Sequence, residues 1–147
     1  MAEDYKLPTR RAMLTAMKHD GPLTALIAAG SMYPGTVPVS RTFPFLRLGA
    51  ITASPFRASG LDSSAFRANV QGFTKPLANA RGAATASAED QADRIGSAIK
   101  DAIDGATLTL EGGQKARIVW IQTIAVRDGD EADAWMVTVT FGVEVAG

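Results

Sequence analysis

Cysteine is absent from this 147-residue chain, histidine occurs once, and neither sign of charge prevails. Each absence removes a class of function. Without thiols there is no disulfide, no thiol nucleophile and no thiolate metal site, and such a composition suits a reducing cytoplasm. The 15 basic residues are matched by 15 acidic ones, so the formal net charge is zero. A protein that grips nucleic acid by neutralising phosphates carries a clear basic excess. This one has none, and balanced charge also leaves self-association unopposed. No run approaches the ~20 apolar residues needed to cross a bilayer, so no membrane partner is expected. The opening Met1-Ala2-Glu3-Asp4-Tyr5-Lys6 is polar and lacks the apolar stretch of a signal peptide. Together these features predict a soluble protein made in the cytoplasm.

What is present is an ordinary globular composition, 46% apolar and 20% charged, in a length that suits one domain over residues 1–147. Ala12, Met13, Ala16 and Met17 recur at three- and four-residue spacing, which predicts a first helix opening near Pro8 or Thr9. His19-Asp20-Gly21-Pro22 ends it, and a short second helix is expected from Leu23 to Ala29. Strands are expected over Phe45–Ala53 and Phe66–Phe73, the latter alternating Phe66, Ala68 and Val70 with Arg67, Asn69 and Gln71. Ser87 with Asp90 resembles a capping box at the head of the longest helix. Its apolar stripe runs through Ala88, Ala92, Ile95, Ile99, Ala102 and Ile103, and Gly105 closes it. Arg117–Val126 is β-forming and apolar on both faces, while Ala134–Val145 alternates through Trp135, Val137, Val139, Phe141, Val143 and Val145. The order α-α-β-β-α-β-β predicts an α+β fold: an antiparallel or mixed four-stranded sheet, helices packed on one face, and a C-terminal β-hairpin.

Reactive groups do not converge. His19 stands at a helix end beside Asp20, with no second histidine or glutamate at ligand spacing, so a structural or exposed role is expected. Asp128, Asp130, Glu131 and Asp133 lack the sixth-position glycine and the closing glutamate of a calcium loop, and read as a solvated hairpin tip. No glycine pattern forms a phosphate cradle, and no serine sits in a GxSxG elbow. Trp120 and Trp135 fall on apolar strand patterns, where core packing is the expectation. The chain therefore reads as a non-enzyme with no catalytic, cofactor or metal residues.

The segment from Ser31 to Pro44 stands apart. It holds Pro34, Pro38 and Pro44 together with Met32, Tyr33, Val37, Val39 and Phe43, so it is extended, apolar and longer than most connections. Such a loop needs cover. Met32, Tyr33, Val37, Val39 and Phe43 are accordingly candidate subunit-interface residues, with folding back over the chain's own sheet as the alternative.

Tyr33-Pro34-Gly35, Pro38, Phe43-Pro44-Phe45, the strand Phe66–Phe73, the alanine-rich helix Ala86–Ile103 and Val139-Thr140-Phe141-Gly142-Val143 occur in an order that resembles the tail-terminator, or tail-completion, proteins of long-tailed phages and related prophage elements. The resemblance spans nearly the whole chain, and its specificity lies in the order of short pieces. It implies a structural virion protein that forms a ring, typically hexameric. Such a ring caps the tail tube, meets the head connector or stopper protein, and lets DNA pass without specific binding. The location implied is the tail or neck of the virion, after assembly in the host cytoplasm. Asn79–Thr85 has no counterpart in that pattern. A neighbouring connector or stopper subunit of the same particle fits the same features, and a small ligand-binding or enzymatic α+β domain is the more distant alternative.

Overall fold

The computed structural model describes residues 6–54, 63–78, 84–127 and 134–146. Three helices, α1 (Lys6–Lys18), α2 (Gly21–Leu26) and α3 (Ala88–Ile103), accompany a six-stranded sheet and a small two-stranded one. The large sheet is built from β1 (Met32–Tyr33), β2 (Phe45–Ser54), β3 (Ser63–Thr74), β6 (Thr107–Thr109), β7 (Lys115–Arg127) and β8 (Trp135–Ala146). Its spatial order is β1-β2-β3-β8-β7-β6. Only β1 runs parallel to its neighbour, so the sheet is mixed. The four expected strands form its centre, and the expectation of four falls short by the two edge strands. These are two and three residues long, too short to display a period of two. The small sheet pairs β4 (Leu77–Ala78) with β5 (Ala84–Ala86). The acidic hairpin tip and residues 79–83 of the unmatched Asn79–Thr85 stretch lie outside the described residues.

Local chemistry sets the helix ends. Asp20 both stops α1 and starts α2: its carboxylate accepts from the Leu23 amide at 3.0 Å, and Pro22 sits where a helix needs no amide donor. Ser87 caps α3, its hydroxyl accepting from the Asp90 amide at 3.0 Å. At the other end Gly105 takes φ +76°, a conformation that glycine adopts without steric penalty, and donates its amide to Ile118 at 2.8 Å.

All three helices lie on one side of the sheet, with α3 across β3, β8 and β7, α2 against α3, and α1 bridging α3 to β6 and to β1 and β2. The core between them holds Met13 and Met17 of α1, Leu23 of α2, Ile95, Ile99 and Ile103 of α3, and the inward row Val137, Val139, Phe141, Val143 and Val145 of β8. β8 pairs with β3 without interruption from Thr74↔Trp135 to Ser63↔Ala146, and this ladder is the axis of the sheet. Two buried hydrogen-bonding side chains tie α3 to it. Thr74 donates its hydroxyl to the Ala88 carbonyl at 2.7 Å, and the Gln91 amide donates to the Lys75 carbonyl.

The helix approaches the sheet closely because two glycines permit it. A Cβ on Gly96 would stand 2.8 Å from Val137 Cγ2 and 3.0 Å from Thr123 Cγ2. One on Gly72 would stand 2.9 Å from Ile95 Cγ2 and 3.0 Å from Val137 Cγ1. Gly96→Ala is therefore expected to destabilise the fold by about 1–3 kcal/mol through overpacking, against a gain of at most ~1 kcal/mol in helix propensity. A urea midpoint that rises on this substitution would contradict the packing.

Candidate functional site

The face of the sheet turned away from the helices divides into a covered corner and a bare strip. At the corner, the Pro-rich segment folds back over β2 and β3. Phe45 is buried and stacks on Phe73, with ring centres 4.7 Å apart and planes 15° from parallel. Phe43 meets Phe45 edge-on at 5.1 Å, and Tyr33 does so at 6.2 Å. Cations ring the cluster: Arg41 lies 5.6 Å from the Phe45 centroid, Arg47 5.3 Å from Phe73, and Lys75 4.5 Å from Phe43. Such contacts add to the area buried, because cations are drawn to the negative ring face. The Phe43–Pro44 peptide is cis. Arg10 of α1 donates to the Pro34 carbonyl and so ties the start of the segment to the helical layer.

The five candidate interface residues thus part company. Met32 is buried in the chain's own core, where β1 pairs with β2. Tyr33 and Phe43 are partly buried in the aromatic corner. Val37 is half-buried, and Val39 is 97% exposed. The segment does not lie open along its length; its free apolar surface is concentrated beyond Gly35.

The bare strip is on β7. Up to Ile118 this strand buries alternate residues, Ala116 and Ile118, under the helices. A bulge then falls between Trp120 and Gln122, leaving Ile121 as the extra residue. Past it, Thr123, Ala125 and Arg127 pair with the core-facing Val139, Val137 and Trp135 of β8. Val119, Ile124 and Val126 pair with Gly142, Thr138 and Met136 and so share the opposite face. Ile121 joins them, its Cδ1 3.4 Å from where a Cβ on Gly142 would stand. Val119, Ile121, Ile124 and Val126 are each between 40% and 50% exposed, which makes an apolar row open to solvent, with Gln122 on the same face. Trp120, expected in the core, is 36% exposed. Its indole N–H donates to the Thr123 hydroxyl at 2.8 Å, and Lys100 Nζ stands 4.2 Å from the ring centroid. The bulge at this point turns the strand and lifts the ring toward the margin of the helical layer.

Elsewhere the surface is plain. His19 donates its Nδ1–H to the Thr15 carbonyl at 2.8 Å, as a helix-end residue does, and stays exposed. Arg11 and Glu111 form an exposed ion pair at 2.9 Å. A shallow depression of about 390 Å³ between α1 and the β6 turn is lined by Pro8, Ala12, Ala16 and Leu108 among others. Among the described residues no three His, Asp or Glu side chains gather where they could hold a metal ion.

The marked features of the described surface are thus the aromatic corner and the apolar outer face of β7. The profile of the family "Tail completion protein gp17" matches residues 11–144. The chain belongs to that family, and its role is that of a structural protein of phage-type tails. A solved chain from the virion of a native gene transfer agent particle superposes with a TM-score of 0.78 at 18% identity, covering 98% of this chain and 100% of that one. It shares the fold. A second solved chain, 15% identical and covering 97% of this chain and 96% of that one, superposes with a TM-score of only 0.44 and carries no weight. No curated protein matches the sequence.

The signal for the bare strip was present in the sequence as a strand apolar on both faces, where the partner strand β8 alternates. The aromatic corner supplies its own test. Phe43→Ser is expected to lower stability by about 1–3 kcal/mol by removing a partly buried ring. Val39→Ser should leave it within ~0.5 kcal/mol of the wild type. Equal thermal midpoints for the two variants would contradict the observed packing.

Proposed function

We propose that the protein is a tail terminator whose copies close into a ring, six-fold in the pattern of the proteins it resembles. The ring caps the finished tail tube, meets the head connector or stopper on its other side, and lets DNA pass through its opening. The role is structural and non-catalytic, and the place is the neck of the particle. The observation that carries this reading is the family match along residues 11–144, which spans the helices, the sheet and both candidate surfaces. The gene transfer agent chain, a component of a virion, supports it through a shared fold over nearly the full length.

The physical features are those a ring needs. A closed ring of identical subunits requires two different, complementary surfaces on each copy. Val37 and Val39 offer apolar area on one side, and the β7 row offers it on the other. Equal numbers of basic and acidic residues suit a channel, since a strongly basic lining would hold DNA back. Electron microscopy of the purified full chain, at concentrations well above micromolar, is expected to show rings with a central hole. Particles that stay monomeric, or that pair into compact dimers without an opening, would overturn the ring.

A further inference from the structure

The large sheet has two bare edges, and they lie diagonally opposite each other. On one side, β1 pairs only with Leu46 and Arg47 of β2, so among the described residues nothing pairs with the outer edge of β2 from Leu48 to Ser54. On the other side, β6 pairs only with Lys115–Arg117 of β7. The Ile118 amide donates to the Ala106 carbonyl at 2.9 Å, and the Trp120 amide donates to the Asp104 carboxylate at 2.8 Å. Beyond Trp120 no strand covers the outer edge of β7 among the described residues. Natural sheets guard such edges with lysine, proline, inward charges or bulges, and β2 does carry a bulge between Leu48 and Ile51. Here Leu48-Gly49-Ala50-Ile51-Thr52-Ala53-Ser54 and Gln122-Thr123-Ile124-Ala125-Val126 contain no charged residue and no proline.

We propose that these edges are the two halves of one joint. Residues 122–127 of β7 in one copy pair, antiparallel, with residues 48–54 of β2 in a second copy of this chain, head to tail around the ring. This deepens the ring reading and rests on it. Three observations support that occupant. The two segments are similar in length and run antiparallel to each other within the sheet, so a neighbour in the same orientation brings them together in the correct sense. The short strands β1 and β6 pair with the other end of each edge and leave these two segments free of them. The offset is also of the right size. Through the ladder the free part of β7 maps onto β3 residues 69–74, and the free part of β2 onto 65–70, a stagger of about four residues. At ~3.3 Å per residue, and ~4.8 Å between strands across the four long strands, each subunit contributes a slope of roughly 35°. A sheet closes on itself only with such a stagger, and closed barrels tilt by about 35–45°. An unstaggered joint would leave the sheet open and flat. The apolar row Val119, Ile121, Ile124 and Val126 lies beside this joint, where the neighbour's β2 and its Pro-rich segment would shield it from water.

The register says which amides matter. Ile118 turns its amide outward, and alternation along β8 places Thr123, Ala125 and Arg127 of β7 in the same relation to their partners. The same alternation turns the amides of Ile51 and Ala53 outward on β2. Ala125→Pro and Ala53→Pro each remove one outward donor, a change edge strands tolerate. Ile124→Lys places a charge on a side chain already half exposed, and so tests the β7 edge without burdening the fold. The experiment is sedimentation of the full-length wild type and the three variants at about 100 µM, with circular dichroism to confirm folding. The expected result is a ring for the wild type and folded monomers for each variant alone. An equimolar mixture of Ala125→Pro and Ala53→Pro should form one-to-one dimers, because each supplies the edge the other has lost. Folded variants that still form rings, a mixture that stays monomeric, or Ala53→Pro dimerising by itself through paired β7 edges would overturn the joint and leave the ring standing. A wild type that never assembles would overturn both.

Discussion

The closeness with which α3 beds on the middle of the sheet governs the rest of the structure. Val137 stands between Gly96 on the helix and Gly72 on β3, and a Cβ on either glycine would come within 3.0 Å of it. That contact lets Ile95, Ile99 and Ile103 reach the core beside Phe141 and Val139, all of them buried. It also lets Thr74 and Gln91 hydrogen-bond across the helix start. With α3 seated there, α1 and α2 have a surface to pack on, and the whole helical layer falls on one side. Among the described residues, the Pro-rich segment covers a corner of the other side of the sheet and the apolar row of β7 is exposed.

That asymmetry is the basis of the proposed assembly. A sheet covered on one face alone presents its other face and its two edges, and the proposed ring is built on these. The Pro-rich segment covers one corner with Phe43, Tyr33 and Arg41 and leaves Val39 outside. Among the described residues, nothing pairs with the outer edge of the far half of β7. Assembly through such surfaces needs no net charge and no reactive side chain, in keeping with a chain whose charges balance and whose single histidine merely closes a helix.

Much of this was legible in the sequence because the long elements carry strong periods. α3 could be placed from the spacing of Ala88, Ala92, Ile95 and Ile99 and from Ser87 ahead of them, and the structure puts its start at Ala88. β8 could be placed from its alternation. What the sequence hid was decided by contacts too local or too distant for a period. β1 and β6 are too short to have one, so the sheet was expected to have four strands. Met32 and Phe43 could be read either as subunit contacts or as folded back over the chain's own sheet, because their neighbours Leu46 on β2 and Phe45 are set by tertiary pairing. Trp120 looked like core because the bulge that follows it is invisible in hydrophobicity alone. The apolar outer face of β7 was visible as a strand without alternation, but only the sheet order shows that no strand among the described residues pairs with its far edge.

The proposed ring depends on the sheet edges carrying the contact between subunits. Backbone hydrogen exchange, measured amide by amide on the free and the assembled protein, reads that claim directly. Exchange should slow on assembly at Thr123, Ala125 and Arg127 of β7 and at Ile51 and Ala53 of β2, because those amides gain carbonyl partners. The amides of α1 should exchange alike in both states. Protection that appears on the helical layer and leaves both edges exchanging as in the free chain would contradict it.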